Sequence, residues 1–140
     1  MSDNILWKIF NNRIKELLQK HSKKGIRMKG DANFFGIESL GFKQVRGNGI
    51  LMLTEKDLVF GMFQPTRDFL IPLALIEKIE LTESHLTKTV FQPLLKVYFT
   101  NEKGEAESVA WWIVNPSEWK NLLEQCVKNL HTLVNRKGLS

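Results

Sequence analysis

Apolar residues along this chain keep two rhythms. In its middle they fall in short runs, several with strict alternation, and toward both ends they recur at spacings of three and four. Ile50–Thr54 and Leu58–Phe63 read as strands joined by a polar turn at Glu55–Asp57. Pro65 pre-sets a further turn at Gln64–Arg67, after which Asp68–Pro72 reads as a third strand of this series. Glu77–Thr82 puts Ile79 and Leu81 on one face and Lys78, Glu80 and Thr82 on the other, the pattern of a half-buried antiparallel strand. Leu94–Thr100 alternates through Leu95, Val97 and Phe99. NEKG (Asn101–Gly104) is a hairpin connection, and Glu105–Val114 returns with Val109, Trp111 and Ile113 on one face. Upstream, in a glycine-rich stretch from Gly25 to Gly49, Phe34, Phe35, Ile37 and Leu40 form one irregular strand. The sum is about seven short strands without βαβ alternation, so an antiparallel sheet or barrel is expected.

Both ends read as amphipathic helices. Trp7, Phe10, Ile14, Leu17 and His21 make one stripe over residues 3–21, which Ile5, Leu6, Ile9 and Leu18 widen past half the circumference. An apolar arc that wide exceeds the ~100° of a one-sided surface helix, so it touches more than one apolar surface. At the other end Asn115 reads as an N-cap, Pro116 as the first helical residue and Glu118 as the capping-box acid. An apolar stripe runs from Trp119 through Leu122, Leu123, Cys126, Val127 and Leu130 to Val134.

Charge separates these regions. The formal net charge is +5, yet residues 1–30 hold eight Lys/Arg against two acids, and the remainder holds twelve against thirteen. A near-neutral body therefore carries a basic N-terminal arm, and the division expected is helix and linker over residues 1–30 and one domain over 31–140. One cysteine in 140 residues excludes an internal disulfide and a cysteine-built zinc site. The first residues, MSDN, lack the layout of a secretory signal, and the longest apolar run, Phe69–Ile76, is far short of a membrane span. A cytoplasmic setting follows as the expectation.

Gly47-Asn48-Gly49 raises the question of a phosphate cradle. A dinucleotide fingerprint needs a third glycine where Met52 stands and a helix afterwards, whereas a strand follows, so a turn or bulge is the better reading. The three histidines, His21, His85 and His131, are too scattered for a helical metal pair, and adjacent Ser84 and His85 point apart on extended backbone. Cys126 sits on an apolar stripe and reads as packing. Trp111 and Trp112 face opposite sides of a strand, one filling the core and the other meeting the protein's own helix, a partner or a ligand. Neither catalysis, a metal nor a cofactor is expected.

Seven strands followed by a helix with an early tryptophan resemble the pleckstrin-homology (PH) superfold. Gly49-Ile-Leu-Met-Leu-Thr54 with Leu58-Val-Phe60, and Ile71-Pro72-Leu73 with Ile76 and Ile79, are similar to motifs of its GRAM-type branch. Ser117-Glu118-Trp119 with Leu122 and Leu123 looks like the opening of the PH C-terminal helix. The resemblance implies a mainly β (α+β) domain: a bent antiparallel barrel of about seven strands capped by a C-terminal amphipathic helix, here with an extra N-terminal one. It also implies that the loops 43–49, 64–67 and 101–104 cluster at the open end, where Lys43, Arg46, Arg67 and Lys103 are the candidate binding residues. Asn48 stands where phosphoinositide-binding members carry a second basic residue.

The expected function is that of a non-enzymatic binding module, an adaptor for a protein partner or an anionic membrane surface. The N-terminal helix offers an interaction face of Trp7, Phe10, Ile14, Leu17, Lys23 and Lys24 toward its own sheet, a peripheral membrane, a partner or a second copy. The absence of an aromatic-interleaved basic strand argues against nucleic acid. The alternative is a small enzyme or ligand carrier with a pocket between the sheet and the N-terminal helix.

Overall fold

The computed structural model describes residues 15–16, 19–20, 25–44, 47–63, 67–85 and 88–138. Its strands are β1 (Met28–Ile37), β2 (Gly47–Leu53), β3 (Asp57–Met62), β4 (Arg67–Pro72), β5 (Ile76–His85), β6 (Lys88–Thr100) and β7 (Ala106–Ile113). They form one sheet in the order β4-β3-β2-β1-β7-β6-β5, and every neighbouring pair is antiparallel. The ladder is open rather than closed into a barrel. Its two ends, β4 and β5, are joined through a 3-10 turn at Leu73–Leu75, and helix α1 (Pro116–Gly138) packs on that turn and on β5 and β6.

The alternation of the sequence fixes which face looks inward. Leu51, Leu53, Leu58, Phe60, Leu95, Val97, Val109 and Trp111 are buried together with Trp119 and Leu123 of α1. Trp119 reaches across β1, lying where a side chain at Gly30 would meet its indole at 3.5 Å. Burying two such side chains fastens the helix to the sheet, each contributing on the order of 2 kcal/mol of transfer free energy.

Several local expectations change. The irregular strand is β1, which begins at Met28 and ends at Ile37, so Leu40 falls outside it in a 3-10 segment (Glu38–Lys43) and is exposed. The irregularity is a bulge between Phe34 and Gly36, where Gly36 takes φ +114°. Asn115 enters α1 at φ 57° rather than from an extended conformation, and its carbonyl accepts the N–H groups of Glu118 and Trp119. Gly47-Asn48-Gly49 lies inside β2, paired with Ala32–Phe34 of β1. It is neither a cradle nor a turn: a Cβ on Gly49 would stand 2.2 Å from the Gly61 carbonyl oxygen. Glycine is required there for close strand approach.

Candidate functional site

The register carries the β1–β2, β3–β4 and β6–β7 connections to the same end of the sheet, as the resemblance implies. Lys43 closes a 3-10 segment and Arg67 opens β4, but their side chains lie outside the described residues, as does the whole of Arg46. Lys103 is described and exposed, on a turn held by Asn101, whose Oδ1 accepts the N–H groups of Lys103 and Glu105 at 2.9 Å. Carboxylates surround that position: Glu102 and Glu105 flank it, and Glu107 accepts the Ser39 and Ser108 N–H groups at 3.0 and 3.1 Å. Glu38, at the same end, accepts the Ser108 hydroxyl. Among the described residues at this end, Lys103 thus stands with four carboxylates, Glu38, Glu102, Glu105 and Glu107.

Trp7, Phe10, Ile14, Leu17, Lys23 and Lys24 lie outside the described residues. Residues 15–16 and 19–20 are helical and exposed, and Lys20 Nζ stands 3.8 Å from Asp68 of β4. From Gly25 the chain runs to β1, with the Arg27 N–H donating to the Leu53 carbonyl at 2.7 Å. Beside this path the outer face of β2 and β3 carries a second apolar cluster, Ile50, Met52 and Val59, with Ile26 and Phe63 against it. All three are at most 4% exposed although they point away from the main core.

The remaining candidates have structural places. His85 is buried, its Nε2 2.8 Å from the Gly36 carbonyl oxygen, which ties the far end of β5 to the bulge of β1. Trp111 fills the core between the rings of Phe60 and Phe69, at 5.9 and 5.7 Å, and its indole N–H has no acceptor among the described residues. Trp112 is half-buried on the opposite face, shared with Ala110. Farther along that outer face Tyr98 donates to Glu80 at 2.5 Å, with Lys78 and Lys96 over its ring at 5.3 and 5.0 Å. Burial and the Glu80 bond push the Tyr98 phenol up to about 12, and the same hydrogen bond, aided by Lys78 and Lys96, holds Glu80 below its ordinary value. Among the described residues no group of His, Cys, Asp and Glu could hold a metal ion, and no helix is long and apolar enough to cross a membrane.

A concave surface appears elsewhere. Between β5 and α1 runs a groove of about 440 Å³, lined by Ile76–Ile79 on one wall and by Glu124, Val127, Lys128, His131 and Thr132 on the other. Ile76 and Ile79 are buried, Val127 is half-buried and the polar residues stand at the rim. Sequence reading placed His131 on a terminal helix and Ile79 on a strand but did not join them, because the walls are some fifty residues apart and meet only once α1 has folded back. The available signal was the polar set Glu124, Lys128, His131 and Thr132 beside the helix stripe.

No protein-family model matches this sequence, and no curated protein matches it. Solved structures do match in shape. The C-terminal domain of an unknown protein from Leishmania infantum aligns with TM-score 0.58 at 12% identity, over 84% of this chain and 96% of that one. An activated truncation of Vav1 aligns with TM-score 0.55 at 12% identity, over 91% of this chain and 34% of that one. The DH/PH fragment of PDZ-RhoGEF, solved with human RhoA, aligns with TM-score 0.50 at 17% identity, over 76% of this chain and 30% of that one. The chain thus spans about a third of the two larger proteins. At these identities the likeness is one of fold, and the fold is PH-like.

Proposed function

We propose that this PH-like chain is a non-enzymatic binding module, an adaptor of the GRAM-like branch in the cytoplasm that engages a protein partner through the groove between β5 and α1. The groove carries the reading: it joins an apolar floor to a charged rim, as protein-binding surfaces do. A pocket enzyme has less support, since Trp111 is walled by aromatic rings and His85 is bound to a backbone carbonyl. The membrane reading rests on the basic N-terminal arm, and the described carboxylates around Lys103 weigh against a headgroup site at the loop end.

The N-terminal helix is read as docking on its own domain. The outer cluster Ile50, Met52 and Val59 is the apolar surface that its Trp7/Phe10/Ile14/Leu17 stripe would cover, leaving its lysines to solvent. Photo-crosslinking in the native host tests the module. A photoreactive residue at position 128 is expected to yield a discrete protein adduct, and one at position 103 none. Absence of any adduct at 128, together with salt-sensitive sedimentation on anionic liposomes, would replace the protein reading with the membrane one.

A further inference from the structure

We infer that the N-terminal helix is a releasable cover: its apolar stripe lies on the outer face of β2 and β3 in solution and moves to an anionic membrane surface when one is present, baring that face. The inference rests on the docking of the helix read above. What the cover leaves open shows its size. Ile50, Met52 and Val59 are at most 4% exposed, whereas their neighbours in the same rows of the sheet, Lys29 and Asp31 on β1 and Leu70 on β4, are exposed. The cover is therefore two strands wide, about 10 Å, which is the diameter of one helix.

Residues 15, 16, 19 and 20 are helical and exposed, and Lys20 Nζ stands 3.8 Å from Asp68. Asp68 lies in the row of Ile50, since Gly61 pairs with both. On a helix those four positions share one side, and Phe10, Ile14 and Leu17 fall on the opposite side. One helix at this place thus turns its stripe to the cluster and its lysines to water.

The hold is light and the competing surface is strong. Beside the stripe, the Lys20–Asp68 pair tethers the helix, but its lysine is 61% exposed and water screens it. Gly25, at φ +68°, precedes the point where the Arg27 N–H fastens the chain to Leu53, and gives the helix a pivot. Residues 1–30 carry eight Lys/Arg against two acids. Arg13 and Lys20 border the stripe, where long basic side chains reach headgroups while the apolar side enters the bilayer interface. That border placement favours a lipid surface over a soluble acidic partner. One stripe serves one surface at a time, so covering and membrane binding exclude each other, and each weakens the other by the same factor. The membrane-bound chain presents Ile50, Met52 and Val59 as a second docking face that the free chain keeps shut.

The experiment is thiol labelling of the full chain carrying Cys126→Ser. Val59→Cys, close in size to the native residue, reports the outer face, and Val97→Cys, buried on the inner face, reports unfolding. With vesicles of phosphatidylserine and phosphatidylcholine the chain is expected to sediment and position 59 to label about tenfold faster, while position 97 stays protected. Pure phosphatidylcholine or high salt is expected to leave position 59 slow. Sedimentation on the mixed vesicles with position 59 still protected overturns the exchange and spares the docking. No sedimentation, labelling of position 97 together with 59, or the same acceleration by soluble polyglutamate overturns the exchange as well. Phe10→Glu with Ile14→Glu, in the full chain, is expected to speed labelling at position 59 without vesicles; protection there overturns the docking and the exchange with it. The groove between β5 and α1 takes no part, so an adduct at position 128 upholds the binding module in every case.

Discussion

The two halves of the sheet treat their outer faces oppositely. On β2 and β3 the outward residues Ile50, Met52 and Val59 are as apolar and as buried as the inward Leu51, Leu53 and Phe60. On β5 and β6 the outward residues Lys78, Glu80, Lys96 and Tyr98 are joined by a hydrogen bond and cation–π contacts, and only beyond them does an apolar outward residue, Leu94, lie buried. A sheet with one wet face shows alternation, whereas one covered on both sides reads as a continuous apolar run. The first half is therefore a middle layer that needs cover, and the second faces solvent.

Truncations test that contrast most strongly. Phe60→Ala, on the inner face among the rings of Phe34, Phe69 and Trp111, is expected to cost about 3–5 kcal/mol. Met52→Ala, on the outer face, is expected to cost about 2–5 kcal/mol if that face is a covered layer. Lys96→Ala, at a like place in the other half, should stay within about 0.5 kcal/mol. Chemical denaturation of the three variants measures this, and a Met52→Ala cost as small as that of Lys96→Ala would break the contrast. Removing residues 1–24 asks what supplies the cover. The expected outcome is a lower denaturation midpoint and new binding of a hydrophobic dye at Ile50 and Met52, with dye binding restored to baseline when Met52 is changed to Lys.

Gly49→Ala comes next. Its Cβ would stand 2.2 Å from the Gly61 carbonyl oxygen and 2.7 Å from the Phe60 ring, so β2 and β3 must separate locally. Overpacking of this kind costs about 1–3 kcal/mol. Asn48→Ala beside it, exposed, should be near neutral, and equal costs at the two positions would remove the steric explanation.

Most of the fold was legible because period and burial agree. Glu77–Thr82 and Leu94–Thr100 alternate, and they pair in β5 and β6; the Trp119-to-Leu130 stripe is the face that α1 lays on the core. β1 was read poorly because its bulge and glycines break the period at Phe34–Gly36. Gly49 looked like a turn because sequence shows flexibility but not how near the next strand lies. The groove was harder still. Its two walls, Ile76–Ile79 and the Glu124–Thr132 face of α1, are some fifty residues apart, so no side-chain pattern within either element announces that they meet.

The smallest effect tests the wet half of the contrast through a single reporter. Tyr98 is the only tyrosine, so ultraviolet titration of the folded chain reads its phenol directly. The expected midpoint is about 12 rather than the ordinary 10. Because partial burial is the larger cause and the Glu80 bond the second, Glu80→Ala should return the midpoint only part of the way. The sign for stability follows. A phenol whose folded value lies above its unfolded one contributes stability that is fully present below pH 10 and is lost as pH rises toward 12. Tyr98→Phe should flatten the stability curve in that window and leave neutral pH almost unchanged. Glu80, held below its ordinary value, acts at the other end: its contribution is present above the ordinary carboxylate range and is lost as pH falls through the folded value. A midpoint near 10 in the folded protein would mean that Tyr98 stands free in water and that the Glu80–Lys78–Lys96 surround does not hold it.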